Sequence, residues 1–177
     1  MAYTQVYRSG TARVLGAASV VVAVSAIATV LVYGTAANPV RYLAPFAMVG
    51  TLGWLAYWRP RVVLDEQGVS LHNVFREVMV PWPAVRDVHS RYGLRLDTAY
   101  GDFNAWAVPA PVGRARARGT ETEAAAMVRQ RLERLRAHNE LGVGPGGSDE
   151  PQVRVDAAAL AVVITLALAS AAGFLLG

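Results

Sequence analysis

Cysteine is absent from this 177-residue chain, and so is lysine. The first absence excludes disulfides, thiolate metal sites and thiol catalysis, and leaves the redox compartment open. The second points to no function: all 17 basic residues are arginine, as a GC-rich coding bias gives. A local absence says more. Three runs, Val14–Tyr33, Tyr42–Trp58 and Ala157–Leu176, contain no acidic residue, no arginine and no histidine. Ionisable groups inside apolar helices usually mark ion or proton pathways, so their absence argues against a transporter.

Length gives the three runs their meaning. A helix rises about 1.5 Å per residue, so about 20 residues cover a hydrocarbon core of roughly 30 Å. The first and third runs have 20 residues and the second has 17. The composition agrees, with 54% hydrophobic and only 17% charged residues. Three membrane helices are therefore expected at 14–33, 42–58 and 157–176. They leave an N-terminal segment 1–13, a connector 34–41 and a charged central block.

Arg8 and Arg13 precede the first run, Arg41 alone stands in the connector, and residues 59–156 carry 14 arginines. By the positive-inside rule the N-terminus and the central block are cytoplasmic, in a multi-pass protein of the bacterial plasma membrane. The C-terminal helix is oriented less firmly, by Arg154 alone, and is expected to end outside. Trp54, Tyr57 and Trp58 sit as interfacial anchors at the inner end of the second run. A competing reading makes residues 1–37 a cleaved signal peptide, with Thr35 and Ala37 at the small-residue positions. Its apolar run exceeds the usual range of about 7–15 residues, and either reading leaves the central block cytoplasmic. Pro45 falls in the first turns of the second run, where a missing N–H costs least. In the third run Ala157, Ala161, Thr165, Ala169 and Gly173 recur every four residues, a stripe that suits close helix approach and a homo- or hetero-oligomer.

The 14 arginines of the central block face 13 acidic residues, so no nucleic-acid surface is indicated. Period-2 alternation predicts six short strands between residues 61 and 108, the last of them Phe103–Val108. One face is then buried and the other solvated, as in an antiparallel sheet. A loop rich in Pro, Gly and Arg follows at Pro109–Gly119. Thr120 with Glu123 fits a capping box, and Ala124, Met127, Val128, Leu132 and Leu135 form the apolar stripe of a helix. Gly142 is expected just past its end, and residues 142–156 read as a flexible linker.

These residues carry a family resemblance. Two leading apolar helices run into WRPRVVLDEQGVSLHNVFREVMVPWPAVRDV, with a turn glycine at Gly68, an Asn73-x-Phe75-Arg76 turn, and Val80-Pro81-Trp82 before the next strand. Phe103–Val108, ending in Trp106-Ala107-Val108, stands where the last strand belongs. Over roughly residues 1–140 the chain resembles small bacterial membrane proteins with a PH-like domain of the low-molecular-weight-protein-antigen-6 type. The resemblance implies an α+β fold at 59–141: a small antiparallel β-barrel or sheet capped by a C-terminal α-helix. It implies no enzymatic activity and no cofactor.

The residues themselves point to no catalytic or metal site. His72, His89 and His138 lie on different elements without ligand spacing. Asp65-Glu66 reads as a solvated turn, Ser70 and Ser90 lack a nucleophile elbow, and Gly144–Gly147 lacks the lysine of a phosphate loop. Trp82 and Trp106 are both assigned to packing, so truncating Trp106 is expected to cost about 3–5 kcal/mol. One motif invites a ligand: Arg114, Arg116 and Arg118 place three guanidiniums together as a candidate contact for lipid headgroups. Asp65-Glu66 in the first strand turn weighs against a specific phosphoinositide pocket.

Three functions remain. The preferred one is an interaction module at the cytoplasmic face that docks an unknown partner protein, by strand addition at a sheet edge or in the groove beside the helix. The alternatives are an electrostatic sensor of anionic inner-leaflet lipid, and an accessory subunit of a membrane transporter or envelope complex joined through the third helix.

Overall fold

The computed structural model describes residues 4–33, 40–91, 93–108, 122–142 and 148–175. The chain divides into two compact units. One joins Met1–Ser9 to Pro60–Val155, and the other joins Gly10–Arg59 to Asp156–Gly177.

The first unit is built of β1 (Gln5–Tyr7), β2 (Arg61–Leu64), β3 (Gly68–His72), β4 (Arg76–Pro81), β5 (Val85–His89), β6 (Arg95–Thr98), β7 (Gly101–Asn104), the helix α3 (Glu123–Ala137) and β8 (Gln152–Val155). The strands form two antiparallel sheets, β1-β2-β3-β4-β8 and β5-β6-β7, and among the described residues they do not close into a barrel. Alternation works as the sequence suggests. Val62, Leu64, Val69, Leu71, Val78 and Val80 turn to one face and are fully buried. Val88 and Leu96 of the second sheet, Trp82, and Ala124, Val128, Leu132 and Leu135 of α3 complete this core.

Two strands were not legible as such. Gln5–Tyr7 precedes the first apolar helix, yet it pairs with Val62–Leu64 on the outer side of β2. Gln152–Val155, inside the stretch read as a linker, pairs with Arg76–Met79 of β4. Each has three or four residues and no clean alternation, too little for a periodic signal to emerge.

The turns explain the quoted motifs. Asp65 Oδ1 accepts the N–H groups of Gln67 and Gly68, both at 2.9 Å, and the Trp82 indole donates to Asp65 O at 2.9 Å. Any Cβ on Gly68 would collide with the Val80 carbonyl and Pro81, so the glycine lets β3 and β4 approach. Gly68, Pro81 and Trp82 are thus one structural unit, the strand turn locked onto the core tryptophan.

The ends of α3 differ from expectation. Glu123 is its first residue and Thr122 occupies the N-cap without a side-chain hydrogen bond, so Glu123 does not take the third position of a capping box. The helix stops at Ala137, with Asn139 at φ 54° just beyond it. Asparagine tolerates that left-handed conformation, so the stop comes before Gly142.

The second unit holds α1 (Gly10–Tyr33), α2 (Val40–Gly53), a π-helical turn at Trp54–Trp58, and α4 (Ala157–Leu175). Among the described residues, α1 and α4 alone are long and apolar enough, by length and composition, to cross a membrane. The second run is not one continuous α-helix. Its 14-residue α2 covers about 21 Å by itself before the winding widens, with Arg59 N–H bonding to Trp54 O.

Glycines let α1 and α2 pack closely as antiparallel neighbours. A Cβ on Gly50 would come within 2.7 Å of Ala23 Cβ, one on Gly53 would overlap Ser19, and one on Gly16 would touch the Trp58 backbone at 3.2 Å. Helix α4 lies antiparallel to α2. Arg59 pairs with Asp156 at one end, and the Arg41 guanidinium stands 5.3 Å from the Phe174 ring centroid at the other. The hydroxyls of Ser19, Thr29 and Ser170 each bond a carbonyl four residues back, which satisfies them within their own helices.

Candidate functional site

The strand register gathers one end of the first sheet. Tyr7 pairs with Val62, Arg61 with His72, and Arg76 with Val155. The chain therefore leaves the sheet toward α1, arrives from α2 and leaves toward α4 at the same strand ends. The β3–β4 turn, Asn73–Phe75, projects from that end too. Asn73 fastens it to the second sheet: its Nδ2 donates to Asn104 O at 2.9 Å, and its Oδ1 accepts the Trp106 N–H at 2.7 Å.

That clamp corrects the placement of Trp106. Residues 105–108 form a turn after β7 instead of continuing a strand to Val108. Ala105, Ala107 and Val108 point inward and are buried, and the Trp106 side chain between them is 59% exposed. Trp82 is fully buried, as its alternation with Val78 and Val80 requires. Two small alanines fill the space that the sequence reading gave to the indole.

Two arginines tie α3 to the backbone of the second sheet. From α3, Arg129 donates to Val88 O at 2.5 Å, and Arg136 donates to Val85 O and Arg86 O at 2.9 Å each. These carbonyls line the outer edge of β5, so two guanidiniums close the edge at which an added strand would lie beside α3. The outer strands of the first sheet, β1 and β8, come from the chain's own flanking segments. Among the described residues the two sheets have four outer strands, β1, β8, β5 and β7, and the arginines of α3 bond the backbone of β5.

The other singled-out residues have structural roles. His72 Nδ1 lies 3.5 Å from Glu77 across the β3–β4 pair, His89 lies 3.7 Å from Asp87, and His138 Nδ1 sits 2.8 Å from Arg134 O. Arg95 and Asp102 pair at 2.8 Å across β6 and β7. Among the described residues no three His, Cys, Asp or Glu side chains are grouped to hold a metal. Arg114, Arg116 and Arg118 lie outside the described residues, as does Thr120. In α4, Ala159, Ser170 and Gly173 are buried, and Ala157, Ala161 and Thr165 are exposed. The four-residue stripe thus mostly faces away from α2, and only Gly173 of its members is buried.

Tyr7 and Asp156 depart from their ordinary values. Burial pushes the Tyr7 phenol up, and the negative charge of Glu123 adds to this. The Asp156 carboxyl is held down by the N–H of Ala159, at 2.8 Å from Oδ1, and by its hydrogen bond from Arg59.

No curated protein and no solved structure matches this chain. A family model does: residues 59–143 match the family described as a bacterial PH domain, just under half of the chain. The order seen here, two antiparallel sheets over one core followed by a closing helix, agrees with that match. PH domains are in general non-catalytic interaction modules. Residues 59–143 are thus similar to the bacterial PH domain family, and the similarity extends over that segment.

Proposed function

We propose that the chain is a multi-pass membrane protein that holds its PH domain at the cytoplasmic face as a non-enzymatic docking module for a partner protein. The observation that carries this reading is the pairing of β1 with β2. Those strands flank α1 and α2 in sequence, so both helices must return the chain to the side it left. An antiparallel pair of membrane helices does so, and the glycine contacts between α1 and α2 support such a pair. The excess of arginine in the central block over the connector favours the cytoplasmic side. Helix α4, antiparallel to α2, then ends outside.

Docking by this module differs from a freely tethered one. Both flanking segments are strands of the domain's own sheet, so only short stretches of chain join it to the helices. Tethering raises the effective concentration for partners in the same membrane, and weak intrinsic affinity suffices.

The absence of cysteine makes the test direct. Single cysteines at Ala36 and Ser148 of the full chain are labelled with an impermeant maleimide in intact cells and in inverted vesicles. Labelling of Ala36 only from outside and Ser148 only from the cytoplasmic face is expected; labelling of both from one side overturns the topology. In-cell crosslinking and mass spectrometry, with the full chain and a chain lacking residues 61–141 as baits, then reads the docking. A membrane protein captured only when the block is present is the expected result, and capture indifferent to it argues against a docking domain.

A further inference from the structure

The charged side chains of the helical unit, Gly10–Arg59 with Asp156–Gly177, are Arg13, Arg41, Arg59 and Asp156. Arg59 and Asp156 pair with each other, and Arg13 is exposed near the start of α1. Arg41, the second residue of α2, has neither solution. It is half-buried, and its Nε is buried with no acceptor. Among the described residues no carboxylate pairs with it. The sequence of the connector just before it, GTAANP at 34–39, contains no acidic residue either.

A guanidinium cannot shed its charge, and a cation or an N–H taken out of water without a partner costs free energy. The nearest groups supply no anion. The guanidinium carbon lies 5.3 Å from the Phe174 ring centroid and 5.9 Å from that of Tyr42, so two ring faces hold the cation and leave its charge unbalanced. Phe174 stands in the last turn of α4, whose carbonyl end favours a cation, yet Arg41 Nε donates to no carbonyl there. At its own position in the first turn of α2 the helix dipole is positive, which disfavours a cation and favours an anion. Arg41 is thus a cation that needs an acceptor, and its surroundings in the unit attract a negative one. It also lies beside the penultimate residue of α4, at one end of a helix long and apolar enough to cross a membrane. Headgroup phosphates lie at that depth.

We propose that Arg41, flanked by Tyr42 and Phe174, is the binding site for a phosphate oxyanion, carried by a phospholipid headgroup or free in solution. Phosphate oxygens match the planar fork of a guanidinium, which offers them two parallel N–H bonds as well as its charge. Lysine at the same place would keep the charge and lose the paired bonds. The site lies wholly within the helical unit, so it is independent of what the central domain docks and of which way the unit faces. Only the phospholipid source rests on the membrane reading above; the free-phosphate source does not.

The test uses the full chain in a non-ionic detergent and reads its thermal midpoint, which a ligand of the folded state raises. Three probes are titrated: phosphatidylglycerol, a phosphate-free glycolipid with the same acyl chains, and inorganic phosphate at constant ionic strength. The expected result is a saturable rise with a phosphate-bearing probe that exceeds the rise with the glycolipid. That excess should vanish in Arg41→Gln, shrink in Arg41→Lys and persist in Arg13→Gln. An excess with phosphatidylglycerol alone assigns the site to a lipid headgroup, and a rise with inorganic phosphate assigns it to the free anion. Equal rises with the two lipids and none with phosphate overturn the proposal, and so does an excess that survives Arg41→Gln. The native chain carries the comparison of probes by itself, and Arg41→Lys carries the loss, so the test stands even where Arg41→Gln fails to fold. A midpoint lowered equally by Arg41→Gln with and without every probe overturns the site and leaves Arg41 a packing residue between the two rings.

Discussion

Arg59 and Asp156, 97 positions apart in sequence, are joined by a hydrogen-bonded ion pair. Arg59 closes the π-helical turn after α2, and Asp156 caps the N-terminus of α4 through the Ala159 N–H. Each charge opposes the helix dipole at its own end, and each partners the other. The pair fixes the register of α2 against α4, with Arg41 and Phe174 as the matching contact at the far ends.

Removal of Asp156 should therefore loosen α4 in two ways, by loss of its cap and of its tie to Arg59. Asp156→Ala is expected to lower the thermal midpoint of the detergent-solubilised chain. Asp156→Asn keeps a capping oxygen without the charge and should fall between. Equal midpoints for Asn and Ala would assign the whole effect to the ion pair.

The same carboxylate sets a pH dependence. Its folded-state pKa lies below the ordinary 3.8, so its contribution is fully present above that value. It is lost as pH falls from there through the lowered folded value. A scan of thermal midpoint from neutral pH to pH 3 should show a decline at the acid end that Asp156→Asn reduces. Superimposable profiles would remove Asp156 from the acid response.

Much of this fold could be read from the residues, for a physical reason. Val62, Leu64, Val69, Leu71, Val78 and Val80 are buried at every second position within their strands, and Gly68 and Asn73 mark turns whose chemistry is local. What escaped was non-local or short. β1 and β8 are strands only because β2 and β4 offer them an edge. Trp106 is exposed because alanines on either side of it fill the core, which no residue-by-residue hydrophobicity shows. Small residues in α4 drew attention as a stripe, while the closer packing lay at Gly16, Gly50 and Gly53 in the first two helices.

Those glycines support a third prediction. Gly53 has no room for a Cβ against Ser19, whereas a Cβ on Gly10 meets nothing within 4 Å. Gly53→Val should destabilise the α1–α2 pair by about 1–3 kcal/mol, the usual range for overpacking. Gly10→Ala should leave the thermal midpoint unchanged or slightly raised. A Gly53→Val chain as stable as the native one would show that α1 shifts freely against α2.

Trp82 and Trp106 should separate cleanly. Trp82→Ala empties a fully buried site and removes the hydrogen bond to Asp65 O, a loss of about 3–5 kcal/mol. Trp106→Ala, at 59% exposure, should change stability in detergent by no more than about 0.5 kcal/mol. Paired thermal or denaturant unfolding of the two variants reads the difference. A Trp106→Ala loss close to that of Trp82→Ala would return Trp106 to the core.

Tyr7 offers the complementary test at alkaline pH. It ends β1, packs against the hydrophobic core and faces the charge of Glu123 at the start of α3. Burial first, and that charge second, favour the protonated phenol, so its folded-state pKa lies above the ordinary 10.0. The contribution is fully present below pH 10, where the phenol is neutral in both states. Above it the unfolded chain ionises more readily, and stability is lost as pH rises through the raised folded value. Tyr7→Phe cannot ionise and should flatten the alkaline limb of a midpoint-against-pH curve. Glu123→Gln removes only the second cause and should flatten it in part. Profiles of Tyr7→Phe and the native chain that coincide above pH 10 would show that β1 has already left the sheet before the phenol titrates. The pairing of Tyr7 with Val62, and with it the return of the chain across α1 and α2, would then fail as a stable feature of the domain.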